Sequence, residues 1–306
     1  MTMAAETLLD YKSIEISDKA TFDGFFKAYP PEISEYTFTN LFMWRNHYKF
    51  LWKIEDSNLI VISTRDGSKI AAFPPVGSDP VTAMQALIAS AGSTSLPIEL
   101  HRVPESLAES IISANLQVEL VEDRDNWDYI YSSKDLGTLE GPPFADIRKK
   151  LSRFKRDHDY EFQVLDATCI EQCLQMQEEW CGLKGCFESE SLTDEHKAIQ
   201  DMFTYWDALK FTGGFLKEKQ TDKIIAYTLG EELNPETMVV HVEKANPNPA
   251  FFGTYQAINK EFAMNCAGDH EFINREQDVG SPGLRKAKES YNPMRMGKKF
   301  KAIVKA

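Results

Sequence analysis

Straight after an alternating apolar run, the chain sets five polar side chains in succession: Asn274, Arg275, Glu276, Gln277 and Asp278. Asn274 and Gln277 each carry a donor and an acceptor, the combination that fixes an amide or a hydroxyl. Arg275 is suited to a phosphate or carboxylate held through two parallel N–H bonds. Glu276 and Asp278 suit a substrate ammonium, or an internal pair with the arginine, and Asp278 also suits a helix cap. Ligand contact and internal cluster both stay open at this stage. A Gly280-Ser-Pro-Gly283 break follows, then a short basic helix to Tyr291. Its spacing predicts Leu284, Ala287 and Tyr291 on an inward stripe, with Arg285 and Lys288 toward an anion. Tyr291, ending that helix, is a candidate core tyrosine.

The run 236–244 supplies a second set. Period-two alternation directs Met238, Val240 and Val242 one way and Val239, His241 and Glu243 the other. Glu243, at the strand's end beside a loop, is the stronger candidate for acid–base work and His241 the second. The alternative is an exposed strand face. Lys244, and beyond the loop Gly253, Tyr255 and Asn259, complete the candidate binding residues. The helix beginning near Gly253 offers free N–H groups and a favourable dipole to a pyrophosphate. Cys169, Cys173, Cys181 and Cys186 lie close in sequence but form no Cys-x-x-Cys turn, so apolar packing is expected rather than metal.

These segments sit in a repeating order of elements. Residues 160–166 read as a strand, 167–183 as a helix, and "SLTDEH" as the start of a second helix capped by Thr193. Strands at 213–219, 223–233 and 236–244, a helix at 254–266, a strand at 270–275, a helix at 282–291 and a strand at 294–304 follow. The first half repeats that order: strand, two helices, three strands, helix, strand, helix, and "DYIYSSKDL" as closing strand. No residue-level repeat accompanies it. Gly141, Pro142 and Pro143 precede the basic segment joining the halves, which places the boundary near 140.

The chain's 306 residues are 42% hydrophobic, enough for two cores. No apolar run approaches the length of a membrane span, and the opening residues lack a secretory pattern. Five cysteines fit a reducing cytoplasm better than a disulfide framework. Net charge is −13, which disfavours broad contact with nucleic acid or anionic lipid. Two basic islands interrupt the acidic body, 148–156 and 285–305, and suggest local anion sites or solvated faces.

The element order resembles the GNAT acyltransferase fold, present twice. "FTNLFMWRNHY", "DNWDYIYSSKDL", "HVEKANP" with "GTYQAIN", and "NREQDVGSPGLRKAKESYNP" resemble soluble relatives of the phosphatidylglycerol lysyltransferase C-terminal domain. Tandem GNAT copies are also the arrangement of Fem-type peptidyl transferases. The resemblance implies an α/β (α+β) fold of two GNAT-like domains, 1–140 and 141–306, each a mixed, mostly antiparallel sheet flanked by helices. It also implies transfer of an acyl or aminoacyl group from acyl-CoA or aminoacyl-tRNA to an amine or hydroxyl, with Glu243 or His241 deprotonating the attacking amine, directly or through water, and Tyr291 as general acid. The loop "NPNPAFFGTYQ" departs from the acetyl-CoA pattern Gln/Arg-x-x-Gly-x-Gly/Ala: only Gly253 fits, and Pro247 and Pro249 lack N–H groups. The alternative reading is a non-catalytic module holding a nucleotide, an acyl carrier or a cell-wall precursor in a degenerate cleft. Direct tRNA binding would need the two islands on one surface. Donor, acceptor and oligomeric state are not fixed by the sequence.

Overall fold

The structure, a computed structural model, describes residues 8, 10–91 and 96–304. It divides into two compact units. Of the described residues, those up to 128 with 277–280 and 297–304 make the first, and 129–276 with 281–296 the second.

The sheet of the first unit runs Lys12–Ser13, Phe50–Glu55, Asn58–Ser63, Ile70–Ala72, Ile98–Pro104, Lys299–Val304, Val118–Glu122, with Val76–Gly77 paired to Asn58–Ser63 off that path. The sheet of the second runs Tyr160–Val164, Thr212–Glu218, Lys223–Asn234, Thr237–Ala245, Phe272–Asn274, Asp128–Ser132, Arg295–Gly297. The two orders correspond strand for strand. In each, the fourth and fifth strands are parallel: Ile70–Ala72 with Ile98–Pro104, and Thr237–Ala245 with Phe272–Asn274. Each unit is thus a mixed, mostly antiparallel sheet flanked by helices, and the chain is a tandem GNAT-like α+β protein, as the element order implies.

The sixth position is filled by exchange. Lys299–Val304 pairs with both Ile98–Pro104 and Val118–Glu122, completing the first sheet from the far end of the chain. Asp128–Ser132 pairs with Phe272–Asn274 in the second sheet. The division expected at 140 differs from this arrangement. The strand read as closing the first copy belongs to the second unit, and the strand read as 294–304 is two strands in two sheets, Arg295–Gly297 and Lys299–Val304. Hydropathy marks a segment as a strand but not which edge it joins. The short strand Val118–Glu122 and the helix Ser133–Thr138 also lie outside the expected order.

Cores follow the alternation. In the first unit Ile60, Ile62, Ile70, Ala72, Ile98 and Leu100 lie against Met84, Leu87 and Ile111 of the helices Pro80–Ala91 and Glu105–Ser113. In the second, Met238, Val240 and Ile273 share a core with Ile258 and Phe262 of the helix Thr254–Asn265, which packs in turn on the helix Ala145–Asp157 with its buried Ile147, Leu151 and Phe154. The 147, 151, 154 spacing buries one stripe of that basic helix and turns its lysines and arginines outward.

Several local expectations change. The helix after "FES" begins at Glu190, so Thr193 is inside it, donating its hydroxyl to the Cys186 carbonyl at 2.9 Å. Leu284 is 40% exposed and Ala287 is exposed; Lys288 and Tyr291 are the buried residues of that segment. Cys181 and Cys186 form a disulfide, contrary to the expectation of reduced cysteines, while Cys169 and Cys173 are free and buried. Among the described residues no helix is long and apolar enough to cross a membrane.

Candidate functional site

In the second unit the parallel pairing of Thr237–Ala245 with Phe272–Asn274 covers three residue pairs and ends at Val239↔Asn274. Two irregularities then separate the strands. Against Lys223–Asn234, the register passes from Val240↔Gly230 to Val242↔Leu229, which makes His241 an extra residue on its strand. A bulge of this kind bends a strand and resets the faces its later side chains use. Strict alternation therefore fails here. Met238, Val240 and Ala245 share one core cluster, and Val242 is buried outside it.

The second irregularity is at Glu276, whose φ of +56° is left-handed. Three side chains hold that turn. Asn274, fully buried, accepts from the Glu276 N–H at 2.8 Å. Lys288 Nζ donates to the carbonyls of Arg275 and Glu276. The Tyr131 hydroxyl in turn donates to the Lys288 carbonyl at 2.7 Å. Lys288 is thereby a buried backbone clamp rather than the outward anion ligand its helical position suggests.

Between the diverging strands, Arg275 and Glu243 meet. Arg275 Nη2 donates to Glu243 Oε1 at 2.8 Å, with both side chains 12% exposed. Asn259 Nδ2 donates to the other carboxylate oxygen at 3.2 Å. The guanidinium lies 4.6 Å from the Tyr291 ring centroid and 5.6 Å from that of Tyr131. The Tyr291 oxygen accepts from Gln256 Nε2 at 3.2 Å. Burial disfavours free charge at Arg275, but the Glu243 carboxylate outweighs it and keeps the guanidinium firmly protonated. Burial also raises the Tyr291 phenol, with Arg275 opposing and Glu243 adding, so the group is neutral at pH 7. Asn259 Oδ1 and Arg275 Nη1, both buried, have no hydrogen-bond partner among the described residues.

His241, the bulge residue, is engaged through both ring nitrogens: Nδ1 lies 2.8 Å from Glu276 and Nε2 lies 2.9 Å from Glu231. Burial lowers its basicity, yet the two carboxylates prevail and its pKa rises to about 9. An imidazolium donating from both nitrogens has no lone pair for an amine proton. Lys244 is sequestered, 2.8 Å from Glu195 and 3.8 Å from the Trp180 ring centroid. Tyr255 is 38% exposed at the start of Thr254–Asn265, its phenol raised by burial and by Glu243. Gly253 has φ +102°, and a Cβ there would come within 2.5 Å of the Lys150 carbonyl and 2.9 Å of Phe154 Cβ. It is glycine because the helix Ala145–Asp157 passes so close.

Gln277 and Asp278 belong to the first unit. Gln277 contacts the Ser34 hydroxyl at 3.4 Å; Asp278, fully buried, pairs with Arg124 at 3.1 Å and accepts from Gly280 N–H. The five-residue polar run is thus split: three residues shape the second-unit site and two serve the first unit. The basic islands also separate. In the later one, Lys298 pairs with Glu105, Lys299 is fully buried with Glu35 and Asp128, and Arg285 is half-buried on Pro282–Glu289. The earlier one forms an open groove of about 680 Å³, with Lys149, Lys150, Arg153 and Arg156 beside Phe252 of the loop before Gly253. Arg153 lies 5.1 Å from the Phe252 ring centroid. Sequence reasoning misses Tyr131, Gln256 and Glu231. Gln256 has a signal, three residues before Asn259 on one helical face; Glu231 has none, since its role depends on the bulge. Among the described residues no cluster suited to a metal is present.

A family model described as phosphatidylglycerol lysyltransferase, C-terminal, matches residues 26–303. No curated protein is matched. A conserved protein of unknown function from Bacteroides thetaiotaomicron is similar at 33% identity and TM-score 0.88, over 96% of this chain and 99% of that one. L-PGS from Bacillus licheniformis is similar at 12% identity and TM-score 0.66, over 94% and 91%. FemX is similar at 9% identity and TM-score 0.58, over 97% of each chain.

Proposed function

The chain belongs to the phosphatidylglycerol lysyltransferase C-terminal family, and on that basis we propose that it transfers an aminoacyl or acyl group to an amine or hydroxyl in its second unit. Family and fold neighbours support transfer in general; the site residues support how it would proceed. The observation that carries the reading is the Glu243–Arg275–Asn259–Tyr291 group at the point where two parallel strands part. Open sheets present ligands at such strand ends.

In the proposed reaction the acceptor nitrogen attacks the donor's carbonyl carbon. A C–N bond forms and the C–O bond of an ester, or the C–S bond of a thioester, breaks. Glu243 takes the proton released by the attacking amine. Tyr291, whose oxygen accepts from Gln256, gives its own proton to the leaving atom. Exchange with solvent restores both groups. Arg275 steadies the carbonyl oxygen as charge develops on it.

The donor's carrier would lie along the basic groove of Ala145–Asp157. The loop before Gly253 has two prolines without N–H groups, and Gly253 is packed on the helix, so a pyrophosphate cradle of the acetyl-CoA kind is disfavoured. A carrier rich in phosphates, such as tRNA, suits four outward cations better. The test is transfer from labelled aminoacyl-tRNA, with acyl-CoA in parallel, to a panel of amines and hydroxyl compounds. Glu243→Gln is expected to lower turnover by about a hundredfold or more. Turnover unchanged in Glu243→Gln and Arg275→Ala would remove these residues from the reaction. Saturable binding of anions with no turnover from any donor would favour the binding-module reading.

A further inference from the structure

Buried polar atoms in folded proteins are almost always hydrogen-bonded, so each exception asks for a partner that the chain does not supply. Two exceptions flank one carboxylate in the second unit. Glu243 is held on one oxygen by Arg275 Nη2 and on the other by Asn259 Nδ2. The second nitrogen of that arginine and the amide oxygen of that asparagine are the unpartnered atoms. Asn259 is 2% exposed, and the Arg275 side chain 12%. One is a cationic donor and the other a neutral acceptor beside an anion. We propose that this pair of atoms is a binding site for a free zwitterionic α-amino acid, with its carboxylate on Arg275 Nη1 and its ammonium on Asn259 Oδ1.

The chemistry is specific to that ligand class. Nη1 wants an anionic or carbonyl oxygen, and an arginine already paired through Nη2 still has donors for a second carboxylate. Asn259 Oδ1 wants an N–H, and the adjacent Glu243 charge favours an ammonium over a neutral amide there. A neutral acyl chain would leave both atoms unmet. An ester-linked aminoacyl group has no free carboxylate for the arginine. The Tyr131 and Tyr291 rings against the guanidinium exclude water from one side and strengthen its attraction for an anion. On the transferase reading, on which this role rests, the bound amino acid is the acceptor. Its ammonium gives one proton to Glu243, and the resulting amine attacks the donor carbonyl as the donor's C–O or C–S bond breaks. A second nitrogen proton passes to solvent and Tyr291 protonates the leaving atom, giving an amide with a free C-terminal carboxylate.

The test uses the intact wild-type protein and isothermal titration with each common L-amino acid. The tightest binder is then compared with its carboxamide, which keeps the ammonium, and with the carboxylic acid that lacks the amine. Saturable millimolar or tighter binding, weakened about tenfold or more by loss of either charge, is expected. Arg275→Lys should weaken the amino acid several-fold more than its carboxamide, a split that general unfolding would not produce. The proposal is overturned if no amino acid binds at millimolar concentration, or if the carboxamide binds as well as the parent. Binding without transfer from any donor would sustain this site and defeat the transferase reading. Transfer to other amines with no amino-acid binding would do the reverse.

Discussion

Two buried ion clusters, one in each unit, differ in whether they are closed. In the first unit Lys299 Nζ directs its three protons to Glu35 at 2.6 Å, Asp128 at 2.7 Å and the Ser34 hydroxyl at 3.4 Å. Asp128 also accepts from the Ser34 N–H and hydroxyl. The other Glu35 oxygen meets Arg102 Nε at 2.9 Å, an ion pair too bent to count as a hydrogen bond. In the second unit Arg275 and Glu243 make a comparably short contact, yet Arg275 Nη1 and Asn259 Oδ1 are left without a hydrogen-bond partner. Charge and burial alone would not tell these clusters apart. Completeness of pairing does: a closed network can only hold the fold, whereas an open one is also fitted to receive something.

Lys299→Ala removes the buried cation shared by Asp128 and Glu35 and should cost about 3–5 kcal/mol of stability in denaturant melts. A variant as stable as wild type would show that the closed cluster is not structural. Glu243→Gln should reverse the balance, losing about a hundredfold in transfer with a smaller stability change than Lys299→Ala. If its stability loss is the larger one, the open cluster is structural after all. Gly253→Ala places a side chain against Lys150 and Phe154 at φ +102°, and about 1–3 kcal/mol of destabilisation is expected on melting.

The His241 bridge gives a pH test. Its pKa is raised to about 9, above the ordinary histidine value, because the flanking carboxylates of Glu231 and Glu276 outweigh burial. A raised folded pKa means stability that is full below the unfolded value near 6.5 and is lost as pH climbs through about 9. Unfolding measured across that window should show the decline, and His241→Gln should flatten it. An unchanged slope in the variant would remove His241 as its source. The smallest effect is reserved for the groove: Arg153→Gln should reduce the salt slope of tRNA binding by about one counterion, with no change in melting. An unaltered slope would take tRNA off that helix.

The sequence already carries the order of strands and helices, because alternation and turn residues are local signals. It also carries Glu243, Arg275, Asn259 and Tyr291 as candidates. It does not carry their relations. The bulge at His241 is invisible in a run that alternates as cleanly as 236–244, yet it decides which side Val242 takes. Lys288 reads as a surface cation on an i, i+3 pattern. Its inward course follows from the carbonyls of a left-handed turn that no composition rule foretells. Strand exchange is hidden for the same reason, since partner choice is a property of edges far apart in the chain.

That exchange has a consequence for how the molecule is made. The first sheet's interior position waits for residues 299–304, although its neighbour Val118–Glu122 leaves the ribosome far earlier. At about 5–20 residues per second, roughly ten to thirty-five seconds of translation separate the two. Throughout that interval Ile98–Pro104 has a bare hydrogen-bonding edge of the kind that recruits stray strands. The half synthesised first is therefore the half that matures last.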